Sequence, residues 1–132
     1  MTESELKEML IEYMGKGFLG NIIDMFKHDP SLFRFLPDLI SSENTRVRIG
    51  AVALVEELRD SFKDRIEETL PTLERLLKNG DATLRGDIAY LLSILNTPST
   101  QEILKTLSND ENPDIREIVE ETLERQGNGD HN

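Results

Sequence analysis

Apolar residues along this chain recur three and four positions apart, and polar turns break the recurrence at short intervals. That period belongs to helices with one buried stripe. Eight segments are predicted, over 2–14, 18–28, 30–42, 45–62, 64–77, 81–96, 99–108 and 112–125. Leu6, Met9, Leu10 and Tyr13 form the first stripe, and Leu19, Ile22, Ile23 and Phe26 the second. The third carries Leu32, Phe33, Leu36, Leu39 and Ile40, with Pro37 inside it as an expected kink. The fourth has Val47, Ala51, Leu54, Val55 and Leu58. The fifth has Ile66, Leu70, Leu73, Leu76 and Leu77, with Pro71 inside it. No stretch alternates with the period of a strand.

Helix starts are signalled as clearly as the stripes. Thr2 with Glu5 and Asp64 with Glu67 fit capping boxes. Asp29-Pro30, Thr97-Pro98 and Asn112-Pro113 place a cap before a first-turn proline. Asp81 is a cap candidate, and Gly80 before it is expected to take positive φ. The tail 127–132, GNGDHN, has nothing to bury and is expected to be disordered.

The stretch 79–95, NGDATLRGDIAYLLSIL, has two siblings: 44–58, NTRVRIGAVALVEEL, and 112–123, NPDIREIVEETL. Aligning Arg48, Arg85 and Arg116 brings apolar residues together one before, three after and seven after each arginine. These offsets share a helix face. A helix pair of this kind cannot bury both faces alone, so pairs must stack.

This pattern resembles the HEAT-repeat family, including short prokaryotic HEAT-like members. The resemblance rests on Asp81-Ala-Thr-Leu-Arg85, Asn44-Thr-Arg-Val-Arg48 and Asn112-Pro-Asp-Ile-Arg116, and on Pro37 and Pro71 at the place of the family's kinking proline. Pro71 precedes Arg85 by the family spacing; Pro37 stands closer to Arg48, and the third unit lacks the proline. The resemblance implies an all-α fold, a right-handed α-solenoid of about four stacked antiparallel helix pairs. One domain would span 1–126, with 2–28 as a degenerate N-terminal cap pair and 30–62, 64–96 and 99–125 as repeats. It further implies that Arg48, Arg85 and Arg116 tie down the turns through acids in a ladder. Asp81, Asp110 and Asp114 are the available partners, with Glu43 for the first unit. The second helices of successive pairs would line a concave face. Positions one, five and eight after each arginine give Ile49, Ala53 and Glu56, then Gly86, Tyr90 and Ser93, then Glu117, Glu121 and Glu124. Asp87 stands at the margin of that row.

Composition narrows the function. The chain has 132 residues, 26 acids against 15 bases, and a net charge of -11. Nucleic-acid binding needs clustered Lys and Arg and is not expected. There is no Cys, so thiol chemistry, thiolate metal sites and disulfides are excluded. The start is acidic and carries no leader pattern, and no apolar run is long enough to span a membrane. A soluble, cytoplasmic protein is expected. His28 and His131 have no second His at ligand spacing, so no metal and no cofactor is expected. The pairs Glu56-Glu57, Glu67-Glu68 and Glu120-Glu121 diverge on their helices and read as solvated faces. Gly15-Lys-Gly17 is too short for a phosphate loop.

The resulting expectation is a non-enzymatic scaffold that binds a basic and apolar protein or peptide segment along the concave row. The alternatives are a structural subunit of a homo-oligomer or larger complex, and an enzyme related to HEAT-like lyases or DNA glycosylases. The oligomeric state stays open.

Overall fold

The computed structural model describes residues 1–129, with side chains to residue 125. Every element among the described residues is helical. The chain divides into two compact units, Met1–Leu73 and Glu74–Asn132.

The first unit begins with α1 (Glu3–Gly15), opened by a capping box in which the Glu5 amide donates to Thr2 Oγ1 and the Thr2 amide donates to Glu5 Oε1, each at 3.1 Å. Next comes α2 (Leu19–His28), whose His28 Nδ1 lies 2.7 Å from the Asp24 carbonyl oxygen in the last turn. Asp29 then caps a 3-10 segment, Pro30–Phe35, by accepting from the Ser31 amide. The short α3 (Leu36–Ile40) follows, then the long α4 (Thr45–Glu67), capped by Asn44. Leu10 and Met14 of α1, Ile22 and Phe26 of α2, and Val47, Ala51, Leu54 and Val55 of α4 are all buried. Phe26 meets Phe33 edge to face, with ring centroids 5.0 Å apart. Met14 lies directly over Gly50 of α4, where a methyl group would stand 2.6 Å from Met14 Cγ.

Three expectations are corrected here. The predicted helix over 30–42 is a 3-10 segment followed by α3, and Pro37 sits in the first turn of α3 instead of its interior. Proline has no amide to continue an α-helical ladder, so the tighter winding comes before it and the α-helix starts around it. The helix predicted to end at 62 does break there, at Phe62, whose φ and ψ are -128° and 30°, and α4 continues past that kink to Glu67, over the first residues of the helix predicted to open at 64. The Phe62 ring packs against Phe33, centroids 5.9 Å apart. The next helix, α5 (Leu70–Asn79), therefore begins later than predicted, and Pro71 too falls in a first turn.

In the second unit α6 (Ala82–Leu95) is capped by Asp81, which accepts from the Leu84 amide at 2.9 Å. It ends at Asn96, held in the left-handed region at φ 46° and ψ 52°. Thr97 and Thr100 form a capping box for α7 (Pro98–Lys105), and Asn112 caps α8 (Pro113–Gly129) by accepting from the Asp114 amide at 2.8 Å. Helix α6 packs on both α7 and α8. Its Ile88, Ala89, Leu91 and Leu92 are buried, as are Ile103 and Leu104 of α7 and Ile115 and Val119 of α8. Gly80 does not take the expected positive φ; Gly17, at 91°, is the glycine that does among the described residues. Gly80 serves close approach instead, since a Cβ there would lie 2.8 Å from the Leu76 carbonyl oxygen and 2.9 Å from Leu84 Cδ2.

Helix α8 reaches Gly129, so it includes the first residues of the tail expected to be disordered; residues 130–132 of that tail lie outside the described residues. No helix among the described residues is long and apolar enough to cross a membrane.

Candidate functional site

Each of the three aligned arginines folds back on the turn before its own helix. Arg48 donates to the Ser42 and Glu43 carbonyl oxygens, at 2.8 and 3.0 Å, and to Thr45 Oγ1. Arg85 donates to the Gly80 carbonyl oxygen at 2.9 Å, and Arg116 to that of Asp110 at 2.6 Å. A turn ahead of a helix leaves carbonyls without backbone partners, and a guanidinium five or six residues on supplies forked donors for them.

Arg85 also reaches the following turn. Arg85 Nε and Nη2 donate to the two Asp110 carboxylate oxygens at 3.0 and 3.2 Å, a bidentate pair. The pair is largely shielded, with 15% and 8% of the side chains exposed. Asp110 also accepts from the Asn112 amide at 2.9 Å. The guanidinium beside it holds the Asp110 carboxyl below the usual carboxylate value; burial opposes this and the Asn112 amide reinforces it. Arg85 is raised in return, by the hydrogen bond to Asp110 first. Asp110 therefore joins Arg85 of α6 to Arg116 of α8 and fixes the turn between α7 and α8. The other expected ladder acids do different work: Asp81 caps α6, Asp114 contributes its amide to the α8 cap, and Glu43 contributes its carbonyl.

The fixed turn forms part of one wall of a groove between α6 and α8, about 430 Å³ in volume. On the α6 side stand Ala82, Thr83, Gly86, Asp87 and Tyr90, spaced so that they share a face. On the other side stand Asn112, Asp114, Ile115 and Ile118. Gly86 makes the groove passable: a methyl group added there would meet only Ile115 Cγ1, at 3.9 Å. Ile115 is only 2% exposed and belongs to the floor. Tyr90 is 47% exposed, so its ring is open to a partner. The groove is thus apolar below, acidic at Asp87 and Asp114, and aromatic at Tyr90. Among the described residues no Lys or Arg lines it.

Of the residues expected to form a binding row, Gly86, Asp87 and Tyr90 come together in this groove. Ser93 does not join them. It is 7% exposed, and its hydroxyl donates to the Tyr90 carbonyl oxygen at 2.6 Å. Ser93 stands seven residues beyond Gly86, on nearly the same side of α6, but that part of the side is covered. Glu117, Glu121 and Glu124 are exposed on α8 and outside the groove lining. Glu121 lies seven residues beyond Asp114 and three beyond Ile118, on the face that flanks the groove. Ile49, Ala53 and Glu56 belong to α4 of the first unit, where Ile49 is 64% exposed, Ala53 half-buried and Glu56 exposed. Sequence reasoning missed Ala82, Thr83, Asn112, Ile115 and Ile118 as groove residues. Ile115 and Ile118 read as core and helix-stripe positions, and only the distance between two helices reveals that a gap over them is open.

The first unit holds a smaller cavity, about 290 Å³, with Arg34 and Arg65 at its margin. Arg34 is engaged there with Glu3 and with the Ser31 carbonyl oxygen and hydroxyl. The shifted carboxylates Glu3, Glu12 and Asp110 each owe the shift first to a hydrogen bond from a basic side chain. Among the described residues no group of three or more His, Asp or Glu side chains is placed to hold a metal ion.

Comparison with curated proteins and with solved structures found no match. The family pattern of HEAT repeats matches residues 33–124, through both units. HEAT repeats generally serve as protein-interaction scaffolds and are typically non-enzymatic. The three arginine-closed turns, the paired helices and this match together make the chain a member of the HEAT-repeat family.

Proposed function

We propose that this protein is a non-enzymatic scaffold whose α6–α8 groove binds a basic and apolar segment of a partner protein. The observation that carries the reading is the groove itself. Gly86 leaves a lane over Ile115, Tyr90 stands half-exposed beside it, and Asp87 and Asp114 supply negative charge. A volume near 430 Å³ falls within the range of about 300–1,000 Å³ usual for small-ligand sites. It suits one or two side chains of an extended or helical segment. The Arg85–Asp110–Arg116 network holds the α8 start in place, so little ordering remains to be done on binding. Glu117, Glu121 and Glu124 extend the acidic surface along α8 for a basic partner.

Affinity capture from a lysate tests this with three baits: the wild type, Tyr90→Ala and Gly86→Leu. Leucine at 86 fills the lane. Partners held by the wild type and lost by both variants, with melting temperatures unchanged, support the groove. Recovery of the same partners by all three baits contradicts it.

A second reading is favoured by a separate observation in the first unit. Tyr13 and Phe18, at the turn between α1 and α2, pack edge to face with centroids 5.8 Å apart and both remain exposed. Such an apolar end suits contact with a second copy or a larger complex. Sedimentation at micromolar concentration separates the readings. A Tyr13- and Phe18-dependent dimer supports the structural role, and a strict monomer removes it.

A further inference from the structure

We infer that the α6–α8 groove takes a second copy of this chain, seated through the turn between that copy's α1 and α2. This names the partner for the binding reading above and rests on it. The chain carries 26 acids, yet the stretches 13–23 and 44–55 hold none. The two stretches meet in the first unit. Met14 lies over Gly50, a methyl group at Gly15 would stand 3.6 Å from Val47 Cγ2, and Arg46 donates to the Gly15 carbonyl oxygen at 3.4 Å. Tyr13, Phe18 and Ile49 stand exposed on them, three of the five large apolar side chains so exposed among the described residues. A fourth is Tyr90 of the groove. Gly20, two residues beyond Phe18, has nothing within 4 Å, so α2 holds out no side chain there to keep a partner off the ring.

This patch has the basic and apolar chemistry that the groove suits. Its bases are Lys16 and Arg46, both exposed. Lys16 pairs with Glu12 of its own helix, but 57% and 60% of those side chains are in solvent, and such a pair exchanges readily for another carboxylate. In the lane over Gly86 and Ile115 the Phe18 ring would find an apolar floor with Tyr90 beside it, and the bases would find Asp114, with Glu121 flanking. A net charge of -11 drives copies apart over most of their surface, and an acid-free patch is where that repulsion is least. Patch on patch would gather the bases of both copies in one interface, whereas patch on groove sets them opposite acids. The contact is therefore heterologous: each copy in a pair keeps one surface open to a further copy.

The test is sedimentation of the full chain across the micromolar range, as wild type, Phe18→Asp, Gly86→Leu and an equal mixture of the two variants. Phe18 is the N-cap residue of α2 and makes no capping bond, so aspartate there suits the helix while removing the ring. Tyr90→Ala repeats the groove arm in case leucine at 86 lowers the melting temperature. The wild type is expected to associate with rising concentration and less so with rising salt. Each variant alone should associate at least about tenfold more weakly, the scale of a central contact residue. The mixture should form a heterodimer and stop there, because only one working patch and one working groove remain. Association of both groove variants at wild-type strength, or a mixture without heterodimer, would overturn the inference. A wild type that stays monomeric yet captures lysate partners through the groove would overturn it too, and would leave the binding reading standing. That reading fails separately, when Gly86→Leu and Tyr90→Ala recover the same partners as the wild type.

Discussion

Two glycines in helix interiors have opposite reasons for being there. Glycine costs a helix about 1 kcal/mol relative to alanine, so each position must be explained. At Gly50 the explanation is packing, because a methyl group would run into Met14. Forcing a methyl into a filled core costs about 1–3 kcal/mol, more than the propensity gain. Gly50→Ala should therefore destabilise the chain in urea unfolding, and in a Met14→Ala background the same change should become stabilising. At Gly86 nothing stands closer than 3.9 Å, so Gly86→Ala should raise stability by about 0.5–1 kcal/mol. A destabilised Gly86→Ala would mean that the groove is closed in solution. Asp110 adds a dependence on pH. Its folded pKa is lowered, so its stabilising share is complete above the unfolded value and is lost as pH falls through the folded one. Asp110→Asn should lower the melting temperature at pH 7 and narrow its gap to the wild type as the solution is acidified below about pH 4. A gap that stays constant down to pH 2 would contradict this assignment.

Elements were legible in the sequence where a local rule acts alone. The Thr2–Glu5 capping box, the Asp29, Asp81, Thr97 and Asn112 caps and the apolar stripes are each set by a few neighbouring residues, and the structure places them as expected. Boundaries near proline were less legible. Pro37 and Pro71 lie in the first turns of α3 and α5, because a residue without an amide is tolerated where no intrahelical partner is due. Pro71→Ala should consequently change stability by less than about 1 kcal/mol. A gain near 3 kcal/mol, the scale of relieving an interior proline, would show that α4 and α5 are one strained helix. The break at Phe62 was legible, since the predicted helix ends there, but the short stretch from the kink to Glu67, separate from α5, was not. Asp81→Ala should cost about 1 kcal/mol as the loss of an N-cap. Thermal unfolding of that variant beside Asp114→Asn tells a structural acid from a groove acid, because the latter should melt as the wild type does.

For the whole molecule, the repeat was readable and its open surface was only half so. Arg48, Arg85 and Arg116 recur at one helix position, and that regularity carries the family through residues 33–124. The same regularity named Gly86, Asp87 and Tyr90. It placed Ser93 wrongly because a row counted along one helix ignores where the neighbouring helices lie. The groove's other wall, Asp114 to Ile118, depends on the turn that Arg85 and Asp110 hold, a contact between residues 25 apart. The net charge of -11 bears on the same surface. Attraction of a basic segment to exposed acids is screened by salt, so capture by the groove should weaken as ionic strength rises from about 0.05 to 0.5 M. The most direct measurement replaces Tyr90, and separately the exposed Lys105 on α7, with a photo-crosslinking phenylalanine analogue and irradiates the full chain in a lysate. The groove account predicts discrete partner adducts from position 90 and none of them from position 105. Identical adducts from both positions, or adducts from 105 alone, would contradict it.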